Sequence, residues 1–336
     1  DIFANFLVNE KIFKLAVISN EVYDYIISYL AISKIKSTII PINFSANEKQ
    51  IKLQLKISNP TGILISKNYN FKKKNYKTFS LIDILSEKKL KKFKKNNSNK
   101  NIMNSKNYII TFSSGTTSIP KPIVFSQKLK VKRFLQMKKI YQVNSMDNIF
   151  SSSPVDHSMG QRMLFLSLLN GSNFTYMSNY NRKVWIEIFK KQKISFSVLA
   201  SNYLNLLKKD IINKNIKISK IVSATSNITA QTKLDLIKSK IKFYEMYGAS
   251  EIGTVTSFEI SKKTDKINSV GKILSNIKIN ILDKNLNFVK NYKVGQIACK
   301  TELKTSGYYK NINLNKKYFK NGFFLTGDLG YLDKNN

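Results

Sequence analysis

The sequence predicts an α/β protein with two βα-alternating subdomains, their sheets covered by helices, followed by a smaller β-rich, barrel-like subdomain. Three observations carry this. Between residues 20 and 250, short runs rich in β-branched residues alternate with longer segments of helical period. After Glu251 the rhythm changes to strand-like runs joined by polar turns. A chain of 336 residues with 42% hydrophobic content is long enough for two or three compact units, each with a core. The expected division is 1–250 for the two alternating subdomains and 251–336 for the β-rich one.

The elements follow in order. "NEVYDYIISYLAISKIKS" (20–37) spaces Val22, Ile26 and Leu30 four apart with Ile27 alongside, which predicts a helix buried on that face. "TIIPIN" (38–43) reads as a buried strand, 47–58 as a helix and "TGILIS" (61–66) as a strand. The stretch 81–95 begins amphipathic and dissolves into a polar, lysine-rich loop. "NYIITFSS" (107–114) is a strand running into "TFSSGTTSIPKP" (111–122). Helices over 127–142, 159–169, 181–193, 201–213 and 229–240 then alternate with strands at 148–154, 173–178, 194–200, 219–225 and 242–248. Strands at 254–260, 276–289 and 295–300, with no helix of length between them, make up the β-rich part.

Charge narrows the function classes. Basic residues number 57 against 20 acidic, a formal net charge of +37. Only Arg133, Arg162 and Arg182 are arginines, and the lysines are spread along the whole chain. A reader of nucleic acid concentrates arginine, whose fork makes bidentate contacts that lysine does not. The charge therefore reads as a solvated surface of drifted composition, with a field that favours anionic substrates and no specific nucleic-acid partner. Cys299 is the only cysteine, which excludes an intrachain disulfide and fits a reducing, cytoplasmic setting. No apolar run approaches the roughly 18 residues that span a bilayer. The chain opens on Asp1 and stops mid-pattern at "YLDKNN", which reads as a piece of a longer protein.

"TFSSGTTSIPKP" has the chemistry of an anion-binding loop. Ser113, Ser114, Thr116 and Thr117 offer hydroxyls and backbone N–H groups, Gly115 lets the backbone approach closely, and Lys121 supplies a mobile positive charge. The position, past the end of a strand with a helix to follow, is where phosphate loops sit. The second glycine of the common P-loop is missing, so on composition alone an ordinary Ser/Thr-rich turn is the default reading.

Four stretches in order decide between these. "SSGTTSIPKP" resembles the phosphate loop of the adenylate-forming superfamily, which includes acyl- and aryl-CoA ligases, luciferases and peptide-synthetase adenylation domains. "SPVDHSMGQRMLFLSLLNG" (153–171) resembles that family's P-x-x-H-x-x-G segment, and "YGASE" (247–251) its Y-G-x-[ST]-E motif. "GYYKNINLNKKYFKNGFFLTGDLGYLD" (307–333) is similar to the pattern that ends in T-G-D-x-G-Y. One such motif arises by chance readily; four in order do not.

The resemblance implies ATP-dependent activation of a carboxylic acid as an acyl-adenylate, with transfer to the thiol of coenzyme A or of a phosphopantetheine carrier. Ser113, Ser114, Gly115, Thr116, Thr117 and Lys121 would hold the triphosphate, and Tyr247 with Gly248 would face adenine. Glu251 would hold Mg²⁺, Asp328 the ribose hydroxyls, and Ser250 or Thr117 the phosphate under attack. Ala224, Thr225 and Ser226 fall where the family runs a glycine-rich wall between adenine and the acyl group. His157, the only histidine, falls beside the carboxylate site as a gate, and Asp156 would matter most if the acid carried an amine. The catalytic set implied is Thr117, Lys121, His157 and Glu251, in a crevice where the subdomains meet. Ser118 and Pro122 replace glycines of the family loop and stiffen it, and "SATS" lacks both glycines of its wall. The family's C-terminal lid domain and its lysine are absent from this chain, so weak activity of the piece alone is expected. The favoured function is an acyl- or aryl-CoA ligase. The alternatives are an adenylation domain loading a carrier protein, a non-catalytic relic, or a basic nucleic-acid-binding protein.

Overall fold

The strands Lys14–Ile18, Thr38–Ile42 and Gly62–Ile65 of the first sheet are apolar and buried almost end to end, the pattern of a parallel sheet covered on both faces. The computed structural model describes residues 1–67, 76–86, 105–113, 119–226, 228–261 and 266–335. They form two compact units, the first comprising Asp1–Lys130, Pro154–Ser158 and Thr305–Asn311, the second comprising Val131–Ser153, Met159–Lys304 and Ile312–Asn336.

The first unit runs α1 (Ile2–Asn9), β1 (Lys14–Ile18), α2 (Val22–Lys34), β2 (Thr38–Ile42), α3 (Glu48–Ser58), β3 (Gly62–Ile65), β4 (Thr78–Phe79), α4 (Leu81–Ile84), β5 (Ile109–Ser113) and β6 (Lys121–Phe125). Strand order is β4-β3-β1-β2-β5-β6, parallel except for β6, which runs antiparallel to β5. Helix starts follow the sequence: Asn47 accepts from the Gln50 N–H and Ser80 from the Asp83 N–H, each satisfying an orphan donor of the first turn.

Two expectations change here. α2 does not bury Val22, Ile26 and Leu30; Leu30 is exposed, and the inward face is Asp24, Tyr25, Ser28, Tyr29 and Ile32. The reason is hydrogen bonding, since Tyr25 Oη donates to Ile42 O at 2.8 Å and Tyr29 Oη to Val155 O at 2.8 Å. Tyrosines that find carbonyl partners bury as readily as isoleucines and bring more area. The 111–122 stretch also does not lead directly to a helix. It closes a hairpin, with Ser113 opposite Lys121 in register, and the next helix begins only at Gln127.

The second unit holds α5 (Gln127–Tyr141) from Val131 onward, then β7 (Asn148–Ser151), α6 (Ser158–Asn170), β8 (Asn173–Tyr176), α7 (Arg182–Lys191), β9 (Phe196–Ala200), α8 (Ser201–Ile212), β10 (Lys220–Ala224), α9 (Ala230–Lys238), β11 (Lys242–Ala249), β12 (Gly253–Ile260) and β13 (Lys272–Ile273). Their sheet has the order β13-β12-β11-β10-β9-β7-β8. The period-two pattern of its strands feeds two cores. Ile221 and Phe243 pack with Phe150, Trp185 and Phe189 on one side, while Val222 and Tyr244 pack with Tyr141 and Phe196 on the other. The strand expected in the β-rich part at 254–260 belongs to this sheet instead. A short turn returns β12 antiparallel along β11, from Phe243–Ile260 to Ala249–Gly253.

β14 (Ile277–Leu282), β15 (Gly295–Thr301), α10 (Ile312–Tyr318), β16 (Phe319–Lys320) and β17 (Phe323–Gly330) complete the unit. The strands form an antiparallel, half-barrel sheet in the order β14-β15-β17-β16. Ile279, Ile281, Cys299 and Phe324 pack into one core cluster with Ile252 and Val255. Burial pushes the Cys299 thiol up to about 12, which makes it a small apolar filler rather than a nucleophile.

Candidate functional site

In the first unit, the residues singled out by sequence gather where two strands part. Pro41 has no N–H to continue a ladder, and the pairing of β2 with β5 is limited to Ile39 opposite Ile109. Beyond it opens a cavity of about 300 Å³, lined among others by Pro41, Asn43, Ser113, Pro120, Asp156 and His157. Ser113 and Pro120 both belong to the 111–122 stretch. Ser114, Gly115, Thr116 and Thr117, with Ser118, lie outside the described residues. Lys121 begins β6, and Pro122 O accepts from the Tyr309 N–H at 2.7 Å, so the strand carrying the lysine is held on its far side too.

His157 follows the turn closed by its own N–H on Pro154 O. Its Nε2 lies 3.3 Å from the Asn43 amide nitrogen and 3.4 Å from an Asp156 carboxylate oxygen. The ring thus lies between the Asn43 amide and the carboxylate next in sequence. Burial raises the Asp156 carboxyl above its ordinary value, against the opposing pull of His157.

In the second unit, the "YGASE" stretch ends β11 and turns into β12. The ladder shifts register between Tyr247 and Gly248, and a Cβ on Gly248 would stand 2.0 Å from Gly253 O. Glycine is therefore obligatory at this bulge, and the bulge aims Tyr247. Tyr247 Oη donates to Asp328 Oδ2 at 2.7 Å. Burial pushes the Tyr247 phenol up, and the Asp328 carboxylate adds to it, so the phenol stays a donor. Asp328 is presented by Gly327, at φ +85°, and its N–H donates to Thr326 Oγ1 at 3.1 Å.

Ala224, Thr225 and Ser226 leave β10 at the same end of the sheet, since Ser223 pairs with Glu245 two residues before Tyr247. Thr225 sits at φ +81°, a conformation natural to glycine and costly for a β-branched residue. A glycine would adopt this backbone without that strain. Glu251 occupies the β11–β12 turn and is 8% exposed, with Ser250 beside it.

Sequence reasoning passed over two residues here. Arg133 of α5 donates to Ser250 O at 2.9 Å, to Glu251 O at 3.1 Å and to Leu303 O at 2.7 Å. Arg162 of α6 donates to Ala249 O at 3.3 Å and to Thr254 Oγ1 at 3.4 Å. Both are buried, and desolvation draws both guanidiniums below their ordinary values, Arg162 to about 10. The available signal was their scarcity: a chain that uses lysine almost everywhere keeps arginine only where a fork is needed. Arg182, the third, makes a bidentate pair with Asp210. Asn43 gave no sequence signal.

Among the described residues, no group of three or more histidine, cysteine, aspartate or glutamate side chains is gathered as for a multidentate metal site. A lone carboxylate such as Glu251 suits Mg²⁺, which keeps several waters and takes phosphate oxygens as its other ligands. A family model described as AMP-binding enzyme matches residues 1–309. The chain belongs to the AMP-binding enzyme family.

A probable 4-coumarate–CoA ligase of Dictyostelium discoideum is 28% identical over 244 residues, covering 67% of this chain and 43% of the relative. A 2-succinylbenzoate–CoA ligase of Geobacillus is 23% identical over 228 residues, covering 67% of this chain and 46% of the relative. The o-succinylbenzoate coenzyme A synthetase of Bacillus subtilis, solved with AMP, matches at TM-score 0.85 and 17% identity, over 99% of this chain and 87% of that one. That likeness is one of fold. The chain spans less than half the length of the curated relatives it matches.

Proposed function

We propose that this chain binds ATP with Mg²⁺ and activates a carboxylic acid as an acyl-adenylate, which is then passed to coenzyme A as a thioester. The single observation that supports this most is the Tyr247–Asp328 hydrogen bond. It joins two motifs 81 residues apart, one offering an aromatic face for a purine and the other a carboxylate for ribose hydroxyls. In this reading a carboxylate oxygen of the acid bonds to the α-phosphorus while the α–β bridging bond breaks, and pyrophosphate leaves with the electron pair. No side chain has to move a proton. The residues bind and orient: Ser113, Ser114, Gly115, Thr116, Thr117 and Lys121 toward the triphosphate, Tyr247, Gly248 and Asp328 toward the nucleoside, Ser250 toward the reacting phosphate, and Ala224, Thr225 and Ser226 toward the wall of the acyl site. Glu251 would hold Mg²⁺, which supplies charge neutralisation when bound. His157 orients the acid.

A second acid class draws on Asp156, whose carboxyl lines the cavity beside His157 and suits an amine on the substrate. Such an acid would fit loading of a carrier protein rather than coenzyme A. Carboxylate-dependent ATP–pyrophosphate exchange, run with aryl, fatty and amino acids, tests both readings. Exchange with at least one acid, lost in Glu251→Ala, is expected. Exchange with none, in a folded chain that also fails to bind ATP, contradicts the proposal.

A further inference from the structure

Strands β9, β10 and β11 run parallel, so their carboxyl ends share one edge of the sheet and their amino ends the other. Ala224 and Tyr247 stand toward the carboxyl ends. A second cavity, of about 710 Å³, opens at the amino ends, where Ser195, Ser219 and Ile241 each lie just ahead of a strand. From Ser219 to Ala224 the chain rises about 17 Å, too far for one small molecule to fill both places.

The floor of this cavity is apolar and its rim basic. Phe189, Ile194, Ile216 and Ile218 line it, each no more than 8% exposed, so they are reached only by a group that enters. Lys190, Lys193, Lys214 and Lys217 surround them, all exposed. Among the described residues no carboxylate pairs with any of the four. The acids of this region are engaged by other cations: Glu187 by Lys191, Asp147 by Lys220, Asp210 by Arg182, and Asp235 by Lys208 and Lys238. The cavity beside His157 holds Asp156, whereas none of the described residues lining this one is acidic. Lysine near a helix C-terminus offsets the macrodipole, which accounts for Lys190 in the last turn of α7. It does not account for Lys217, which lies ahead of β10 and past the end of α8.

We propose that this cavity is a second ligand site, which takes a soluble amphipathic anion with its apolar body on the isoleucine floor and its acidic head among the four lysines. The volume suits a small molecule. An acidic head relieves the repulsion of four unpaired ammonium groups, and Ser219 and Ser239 add hydroxyl donors at the same mouth. A bare inorganic anion would leave the floor wet. A bilayer surface receives protruding apolar side chains, and here they are sunk below the rim. The site uses none of the residues assigned to adenylation and does not rest on that reading.

The test is calorimetric titration of dodecyl phosphate, kept below its micelle concentration, into the parent and variants first shown to be folded by their thermal melts. The parent should bind one molecule, less tightly as salt rises. Lys190→Gln with Lys217→Gln should weaken binding about tenfold. Lys284→Gln with Lys290→Gln removes the same charge between β14 and β15 and should bind as the parent does. Ser219→Phe keeps every charge and fills the mouth of the cavity, so it should also weaken binding at least about tenfold. Inorganic phosphate, which gains nothing from the floor, should bind at least about 100-fold more weakly than dodecyl phosphate. A parent that binds no dodecyl phosphate overturns the proposal, as does binding that both lysine pairs weaken alike. Binding left unweakened by Lys190→Gln with Lys217→Gln, or by a folded Ser219→Phe, puts the amphiphile elsewhere and overturns it too. Equal affinity for inorganic phosphate removes the amphipathic ligand. Capture of the parent by phosphatidylglycerol vesicles, without binding of free dodecyl phosphate, replaces the soluble ligand with a membrane surface and overturns the proposal. Should Ser219→Phe not fold, the two lysine pairs and inorganic phosphate decide.

Discussion

Asp156 sits in the cavity with a carboxyl that burial raises, so its charge costs stability at neutral pH. A group whose folded value is raised stabilises at low pH and loses that contribution as pH rises through the folded value. Asp156→Asn should therefore stabilise the chain at pH 7 by about 1 kcal/mol, a gain that fades toward pH 4. Chemical denaturation at the two pH values measures it, and a loss at pH 7 would show that the ionised carboxylate is held by partners rather than strained. Thr225, at φ +81°, makes a companion case. Thr225→Gly should raise the denaturation midpoint, with a net gain of about 1 kcal/mol after glycine's greater unfolded entropy. A destabilised Thr225→Gly would mean the threonine side chain contributes packing that outweighs the strain. Residues such as Tyr247, Glu251 and Asp328 were legible because their motifs are contiguous and carry their chemistry in residue type. Asn43 and the two buried arginines were not, because what defines them is a carbonyl or ring brought near from 87 to 170 residues away.

At the scale of elements, β11 carries the most. It bears Tyr247 at one end, and its Glu245 is tied to α9 by Lys233, with Nζ 2.9 Å from the carboxylate and donating to Ile267 O at 2.9 Å. The lysine side chain is wholly buried. Lys233→Met should cost about 3–5 kcal/mol, because Glu245 is left charged in an apolar core. The double variant Lys233→Met with Glu245→Leu should recover most of it; no recovery would mean packing rather than charge holds the pair. Gly248→Ala should cost about 3 kcal/mol, since its Cβ must displace Gly253 O, and should free Asp328 from Tyr247. A neutral Gly248→Ala would place the strand bulge elsewhere. The alternation of strands and helices was readable because buried β-branched runs and polar helix caps are local signals. The face of α2 was not, since tyrosines become core residues only through carbonyls of β2 and of the 154–158 segment. Nor was the sheet to which β12 belongs, which depends on a hairpin and not on its own sequence.

For the whole molecule, the formal charge of +37 is the largest single number and the least informative. Among the described residues no helix is long and apolar enough to cross a membrane. Lysines that form no cluster of forks predict DNA binding that is weak, indifferent to sequence and lost between 50 and 200 mM salt. Tight binding that survives physiological salt and is undisturbed by ATP would revive a nucleic-acid role. The family was legible from four motifs and is shown by a match over residues 1–309; the acid and the thiol acceptor depend on scattered residues and were not. What most directly tests the central claim is calorimetric titration of ATP with Mg²⁺ into the chain, with Asp328→Ala and Lys121→Ala alongside. Saturable one-to-one binding that each substitution weakens at least about tenfold is the expected result. A folded chain that binds no ATP, or binds it equally well in both variants, would contradict it.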